Sequence, residues 1–190
     1  MQPLERLVEA DRVHKSVYTD QEIFDREMEN IWEKTWVYCG HETQLKKSGD
    51  YVTLQIGRQP MIMVRGMDGR VRVLYNRCRH RANLVCPHDR GNGDTFRCQY
   101  HGWTYSNQGD LLAPTFDEAY DTALRKEDYG LTPAPRVATY RGLIFASASP
   151  TGISLDEHLG GAKEFLDLII DRSPEGQIEL TAGTQRMKYQ

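Results

Sequence analysis

The hydrophobic pattern changes period twice along this 190-residue chain. Ile23, Phe24, Met28, Ile31 and Trp32 recur at three- and four-residue steps, the spacing of one face of a helix. Thr19-Asp20-Gln21-Glu22 precedes them and reads as a capping box, with Thr19 accepting from the Glu22 N–H and Glu22 reaching back. Tyr18 and Ile23 stand where a hydrophobic staple would be. The sequence therefore predicts a helix to about Lys34, after a mixed, partly extended segment over 1–17. Its apolar face suits packing on the domain, and also a neighbouring subunit.

From Thr35 the period shifts toward two. Trp36 to Cys39 reads as a strand, and Tyr51 to Ile56 alternates Tyr51, Thr53 and Gln55 against Val52, Leu54 and Ile56. Met61 to Val64 is a short apolar strand, and Val71, Val73 and Tyr75 mark the next. Lys46 to Asp50 is a turn, and Met67-Asp68-Gly69-Arg70 carries the Asp-Gly hairpin signal. A second hairpin runs between Phe96 and Leu111, closed by Ser106-Asn107-Gln108-Gly109. A short helix is expected near Asp117–Arg125, and an apolar strand from Gly142 to Ala148 completes the sheet.

The period then returns to helical. Ser154-Leu155-Asp156-Glu157 is a second capping box, and Ala162 to Arg172 carries Phe165, Leu166, Leu168, Ile169 and Ile170. Gln177 to Tyr189 alternates as a strand, with Ile178, Leu180 and Ala182 on one side. A helix and one strand bury little by themselves. The expected organisation is an N-terminal extension and helix over 1–35, a mainly β (α+β) domain over 36–150, and the start of a truncated second domain over 151–190.

Between Asn76 and Leu111 the chain carries chemistry. Cys78-Arg79-His80 and Cys98-Gln99-Tyr100-His101 are two short loops of metal-ligand type, with 17 residues between them. Thiolate binds iron–sulfur clusters and zinc, and imidazole binds iron and zinc. C-x-H paired with C-x2-H fits a [2Fe–2S] centre in which two histidines replace two cysteines on one iron. A Cys2His2 zinc site uses the same donors, though its usual spacing is absent. Cys86-Pro87-His88 is a competing C-x-H loop, only nine residues before Cys98. Tyr100 is placed to shield a centre or donate to its sulfur. Trp103 suits a core role as well as a redox one. Arg77, Arg79, Arg81, Arg90 and Arg97 crowd the same region, either as a solvated rim or as a dock for an acidic electron donor.

Asn76-x-Cys78-x-His80-Arg81, Cys98-x-Tyr100-His101-Gly102-Trp103-x-Tyr105 and Gly109-Asp110-Leu111 resemble the Rieske centre of aromatic-ring-hydroxylating oxygenases, in their large (alpha) subunit. The resemblance implies a Rieske-type antiparallel β-sandwich. In it Cys78 and Cys98 bind one iron of the cluster, and His80 and His101 the other. It implies a reductase or ferredoxin as electron donor, neighbouring alpha subunits in a trimer that can include beta subunits, and an aromatic substrate for the parent enzyme. Ala82 departs from the pattern, standing where the family usually has glycine. The family's mononuclear Fe(II) site needs two histidines and a carboxylate. The six histidines here (His14, His41, His80, His88, His101 and His158) include no His-x4-His pair. This chain is therefore expected to carry the electron relay without the oxygenation site, and to lack catalysis alone. A standalone Rieske-type ferredoxin and a zinc-stabilised structural domain are the rival readings.

Composition narrows the setting. A net charge of −3 implies no nucleic-acid footprint, and no apolar run is long enough for a bilayer. The first residues show no apolar signal-peptide core, so a cytoplasmic protein is expected. Cys39 and Cys86 are then read as small buried hydrophobes rather than a disulfide.

Overall fold

The computed structural model describes residues 6–118, 120 and 124–180. Ten antiparallel strands form three sheets among these residues. In chain order they are β1 (Val37–His41), β2 (Asp50–Ile56), β3 (Gln59–Arg65), β4 (Val71–Tyr75), β5 (Arg90–Asn92), β6 (Thr95–Arg97), β7 (Thr104–Ser106), β8 (Leu111–Ala113), β9 (Arg136–Tyr140) and β10 (Leu143–Ser147). The sheet orders are β4-β3-β2-β5, β6-β7-β8 and β1-β10-β9.

The run Met61-Ile62-Met63-Val64 is apolar throughout because β3 is buried on both faces. Ile62 and Val64 enter one core with Leu74, Phe96, Trp103, Tyr105 and Leu111. Met61 and Met63 enter a second, with Val37, Ile56, Val73 and Ile144. Side chains alternate along a strand, so a strand with a core on each side loses its polar positions. Each large aliphatic group hidden this way contributes roughly 1.5–3 kcal/mol. The first core also contains Cys78, Cys86 and Cys98.

The hairpin at Met67–Arg70 forms as expected, joining β3 to β4 in register Val64↔Arg72. The hairpin of β9 and β10 has no such signal in the sequence. Its central residues are Arg141 (φ 50) and Gly142 (φ 83), between the paired Tyr140 and Leu143. Two positive φ values are the two-residue turn that matches strand twist, and Asn-Gly or Asp-Gly usually supply it. Arg141 accepts the strain while its guanidinium holds Asp167 at 3.0 Å and Asp171 at 2.6 Å. Glycine is needed beside it, since a Cβ at Gly142 would lie 2.4 Å from His41 Nε2.

The N-terminal helix differs in its start. A four-residue turn, α1 (Ser16–Thr19), comes first, and the cap of α2 (Gln21–Glu27) is Asp20, whose carboxylate accepts from the Glu22 and Ile23 N–H groups. Thr19 instead donates its hydroxyl to the Lys15 carbonyl. A π-helical turn, Met28–Trp32, continues α2. Ile23 and Met28 are buried, but Phe24, Ile31 and Trp32 stay exposed. The wider turn rotates the last residues of the apolar face away from the domain.

Ser154 caps α3 (Leu155–Leu159) with the expected reciprocal box through Glu157. Helix α4 (Ala162–Ile170) follows. Leu155 and Ile170 share a third core with Trp36, Leu143 and Phe145, on the outer side of β10. Phe165, Leu168 and Ile169 point to solvent. Of the strand expected over Gln177–Tyr189, residues 177–180 are not in a sheet, and 181–189 lie outside the described residues. The helix expected near Asp117–Arg125 lies partly outside them, and a 3₁₀ turn, Lys126–Tyr129, follows it. Among the described residues no helix is long and apolar enough to cross a membrane.

Candidate metal centre

Two loops with the same backbone hydrogen bonds bring the candidate donors together. In the first, after β4, the Cys78 N–H donates to the Asn83 carbonyl at 2.8 Å and the Ala82 N–H to the Cys78 carbonyl at 2.8 Å. In the second, between β6 and β7, the Cys98 N–H donates to the Trp103 carbonyl at 2.8 Å and the Gly102 N–H to the Cys98 carbonyl at 2.9 Å. Each circuit closes through a residue of left-handed backbone, Ala82 (φ 57) and Gly102 (φ 73). That conformation explains why glycine suits both positions and why alanine at 82 carries strain.

Asn76 fixes the first loop from below. It is 2% exposed, and its side chain accepts from the Val85 and Cys86 N–H groups at 3.0 and 2.8 Å and donates to the Cys86 carbonyl at 2.7 Å. On the second loop Thr115 donates its hydroxyl to the His101 carbonyl. A Cβ at Gly102 would lie 2.7 Å from Thr115 Oγ1, so that contact needs glycine.

Cys78 and Cys98 are buried, at 4% and 2% exposure, and each thiol shifts the pKa of the other. The rings of His80 and His101 lie 4.7 Å apart. Trp103 stacks on His80 at 5.0 Å, with planes 9° apart. His80 Nδ1 is buried without a hydrogen-bond partner. An unpaired buried nitrogen costs about 1–3 kcal/mol, which metal coordination removes. Burial holds the His80 pKa below the ordinary imidazole value, helped by His101 and Arg81, and so favours the neutral, ligating form. Among the described residues no three of His, Cys, Asp and Glu converge tightly enough for a single ion. Two cysteines and two histidines are the donor set of a [2Fe–2S] centre with two protein ligands per iron.

The two thiols sit in unequal surroundings. Burial raises the Cys78 thiol, opposed by the Tyr105 hydroxyl and the His80 N–H. The Cys98 thiol is also raised by burial, but the Tyr100 and His101 N–H groups, Cys78 and the Asn83 amide outweigh it and lower the pKa. The hydroxyl that reaches sulfur belongs to Tyr105, 3.2 Å from Cys78 Sγ. It accepts from the Arg79 N–H at 3.0 Å, leaving its own proton for the sulfur. Tyr100, read as a shield of the centre or a donor to its sulfur, is exposed, with its ring 3.8 Å from that of His101 and the Arg81 guanidinium 5.6 Å over it. Tyr105 stands in the motif that carries the resemblance, but its reach to sulfur comes from the fold of β7.

Cys86 is buried against Tyr51, whose hydroxyl its burial and the Cys86 thiol push up to about 12. His88 is exposed, and its carbonyl accepts from Thr53. Cys39 and Cys86 are both free thiols, and they pack in different cores. All five arginines of the rim are exposed, and among the described residues none of them forms an ion pair. A cleft of about 820 Å³ opens beside His80, His101, Phe116 and Tyr120.

The sequence model of the family described as "Rieske [2Fe-2S] domain" matches residues 35–126. The chain is 42% identical over 175 residues to biphenyl 2,3-dioxygenase subunit alpha of Rhodococcus jostii (strain RHA1), covering 92% of this chain and 38% of that protein. It is 40% identical over 181 residues to the 2-halobenzoate 1,2-dioxygenase large subunit of Burkholderia cepacia, covering 94% and 39%. The structure superposes on naphthalene 1,2-dioxygenase from Rhodococcus sp. bound to indole with a TM-score of 0.80 at 42% identity, covering 85% of this chain and 37% of that one. The chain thus spans well under half the length of the curated relatives it matches.

Proposed function

Residues 35–126 are a Rieske [2Fe–2S] domain in a chain homologous to the N-terminal part of aromatic dioxygenase alpha subunits, and we propose that Cys78 and Cys98 hold one iron of its cluster and His80 and His101 the other. The observation that carries this is the gathering of two buried thiols and two adjacent imidazoles, with a partnerless buried nitrogen on His80. The domain is an electron-transfer module. Bound there, the cluster supplies one-electron transfer at a potential of about −150 to +300 mV.

The chain's own residues set how that transfer occurs. Tyr105 donates to the Cys78 sulfur, and Trp103 holds the plane of His80. His101 stands at the rim of the cleft, so the imidazole side is the route by which electrons leave. The arginine rim receives an acidic reductase or ferredoxin. In the parent protein, residues 151–190 open a catalytic domain holding a mononuclear Fe(II), and electrons pass from this domain to a neighbouring alpha subunit. The relatives' names support an aromatic substrate for that parent.

Low-temperature EPR of anaerobically purified protein, before and after dithionite, tests the centre. A rhombic signal that appears on reduction and is lost in Cys78→Ser and His101→Ala is expected. A colourless, EPR-silent, zinc-containing protein would overturn the assignment.

A further inference from the structure

The residue that follows the left-handed position in each loop crosses to the other loop. In the second loop it is Trp103, whose carbonyl closes the circuit on Cys98 and whose ring covers His80 of the first. In the first loop it is Asn83, whose carbonyl closes the circuit on Cys78. The Asn83 side-chain amide lies 3.8 Å from Cys98 Sγ, a sulfur hydrogen-bond distance, and also donates to the Leu84 carbonyl at 2.9 Å. One amide hydrogen fixes the orientation of the group, and the other is left for the sulfur. Asn83 is outside the motif that the resemblance rests on.

We infer that Asn83 is a positioning residue that ties the two ligand loops together and raises the reduction potential of the centre through its N–H···S contact with Cys98. This rests on the proposed assignment of Cys98 as a cluster ligand. Reduction adds one electron and no proton at the sulfur, so the ligand sulfurs become more negative. A neutral N–H donor favours that form over the oxidised one. With Tyr105 on Cys78 and Asn83 on Cys98, each thiolate receives one side-chain donor. The two differ in reach. Tyr105 is fully buried, whereas Asn83 is exposed, so the second donor is the one a surface substitution changes without opening the core.

The test is an EPR-monitored potentiometric titration of wild type, Asn83→Leu and Asn83→Asp. The leucine variant removes both polar ends of the amide. The aspartate variant keeps its shape and replaces the donor by an acceptor. Both are expected to titrate at lower potential, with aspartate lower than leucine, because its charge also opposes reduction. The potential is a property of each filled molecule, so reduced iron loading in a variant leaves the reading intact. A wild-type potential in either variant would overturn the role of Asn83. A wild type that shows no rhombic signal on reduction, or keeps it in Cys98→Ser, would overturn the ligand assignment instead.

Discussion

Replacing Tyr105 by phenylalanine isolates a single oxygen atom. The ring is fully buried, and phenylalanine keeps its packing against Ile62, Leu74 and Phe96. What disappears is a hydroxyl that serves two partners, Cys78 Sγ at 3.2 Å and the Arg79 N–H at 3.0 Å. Water cannot take the hydroxyl's place inside the core, so the partly buried Arg79 N–H loses its partner at a cost of about 1–3 kcal/mol. At roughly 2–4 °C per kcal/mol for a chain of this size, the melting temperature falls by about 2–12 °C. The sulfur simultaneously loses its donor, so the reduction potential falls too. Thermal unfolding by circular dichroism and a potentiometric titration read the two effects on one sample. Wild-type stability together with wild-type potential would refute the reasoning. A loss of stability alone would confine Tyr105 to holding Arg79.

Four other outcomes follow from the same contacts. Ala82→Gly relieves a positive φ and stabilises the protein by about 0.5–1 kcal/mol, while Gly102→Ala destabilises it by 1 kcal/mol or more, roughly, both read by urea unfolding. Asn76→Ala strips three hydrogen bonds from Val85 and Cys86 and costs about 3–5 kcal/mol, with iron loading lost alongside. Burial pushes the Cys39 thiol from 9.0 up to about 12, so the folded state holds that proton more tightly than the unfolded one. Its contribution is complete below pH 9.0 and fades as pH rises toward about 12, and Cys39→Ala should flatten the alkaline limb of a stability-versus-pH curve. Arg79→Glu with Arg81→Glu slows reduction by an acidic donor at low salt, and the difference from wild type shrinks as salt rises, in stopped-flow measurements.

The sequence carried the middle of the fold better than its ends. The run Met61–Val64 and the Asp68-Gly69 turn announce β3 and β4 because core burial and turn chemistry both leave local marks. The β9–β10 turn leaves none, since Arg141 adopts a left-handed backbone beside two aspartates 26 and 30 residues away. Asp20 displaced Thr19 as a cap because an extra turn, Ser16–Thr19, uses Thr19 first. In α4 the period marked Phe165, Leu166, Leu168, Ile169 and Ile170 as apolar but could not show that only Ile170 and Leu166 reach the core beside β10, with Phe165, Leu168 and Ile169 left exposed. At the site, spacing alone brought Cys78, His80, Cys98 and His101 under consideration, and the structure gathers them. Tyr105 and Asn83 were not legible, because their reach to sulfur depends on β7 and on the turn at Ala82, both tertiary facts.

The chain presents its donors asymmetrically to the solvent. Cys78 and Cys98 are closed inside the first core, while His101 is half-buried and lines the cleft. A dissolved oxidant therefore meets imidazole before it meets sulfur, and imidazole is the more resistant of the two. Oxidation of these two cysteines to sulfenic or sulfinic acids therefore waits on exposure of their sulfurs. While the two loop circuits hold, Cys78 and Cys98 stay closed to solvent. Damage becomes permanent when one loop opens long enough for a thiol to face water, which makes the bonds of Asn76 and Thr115 a form of protection as well as of shape.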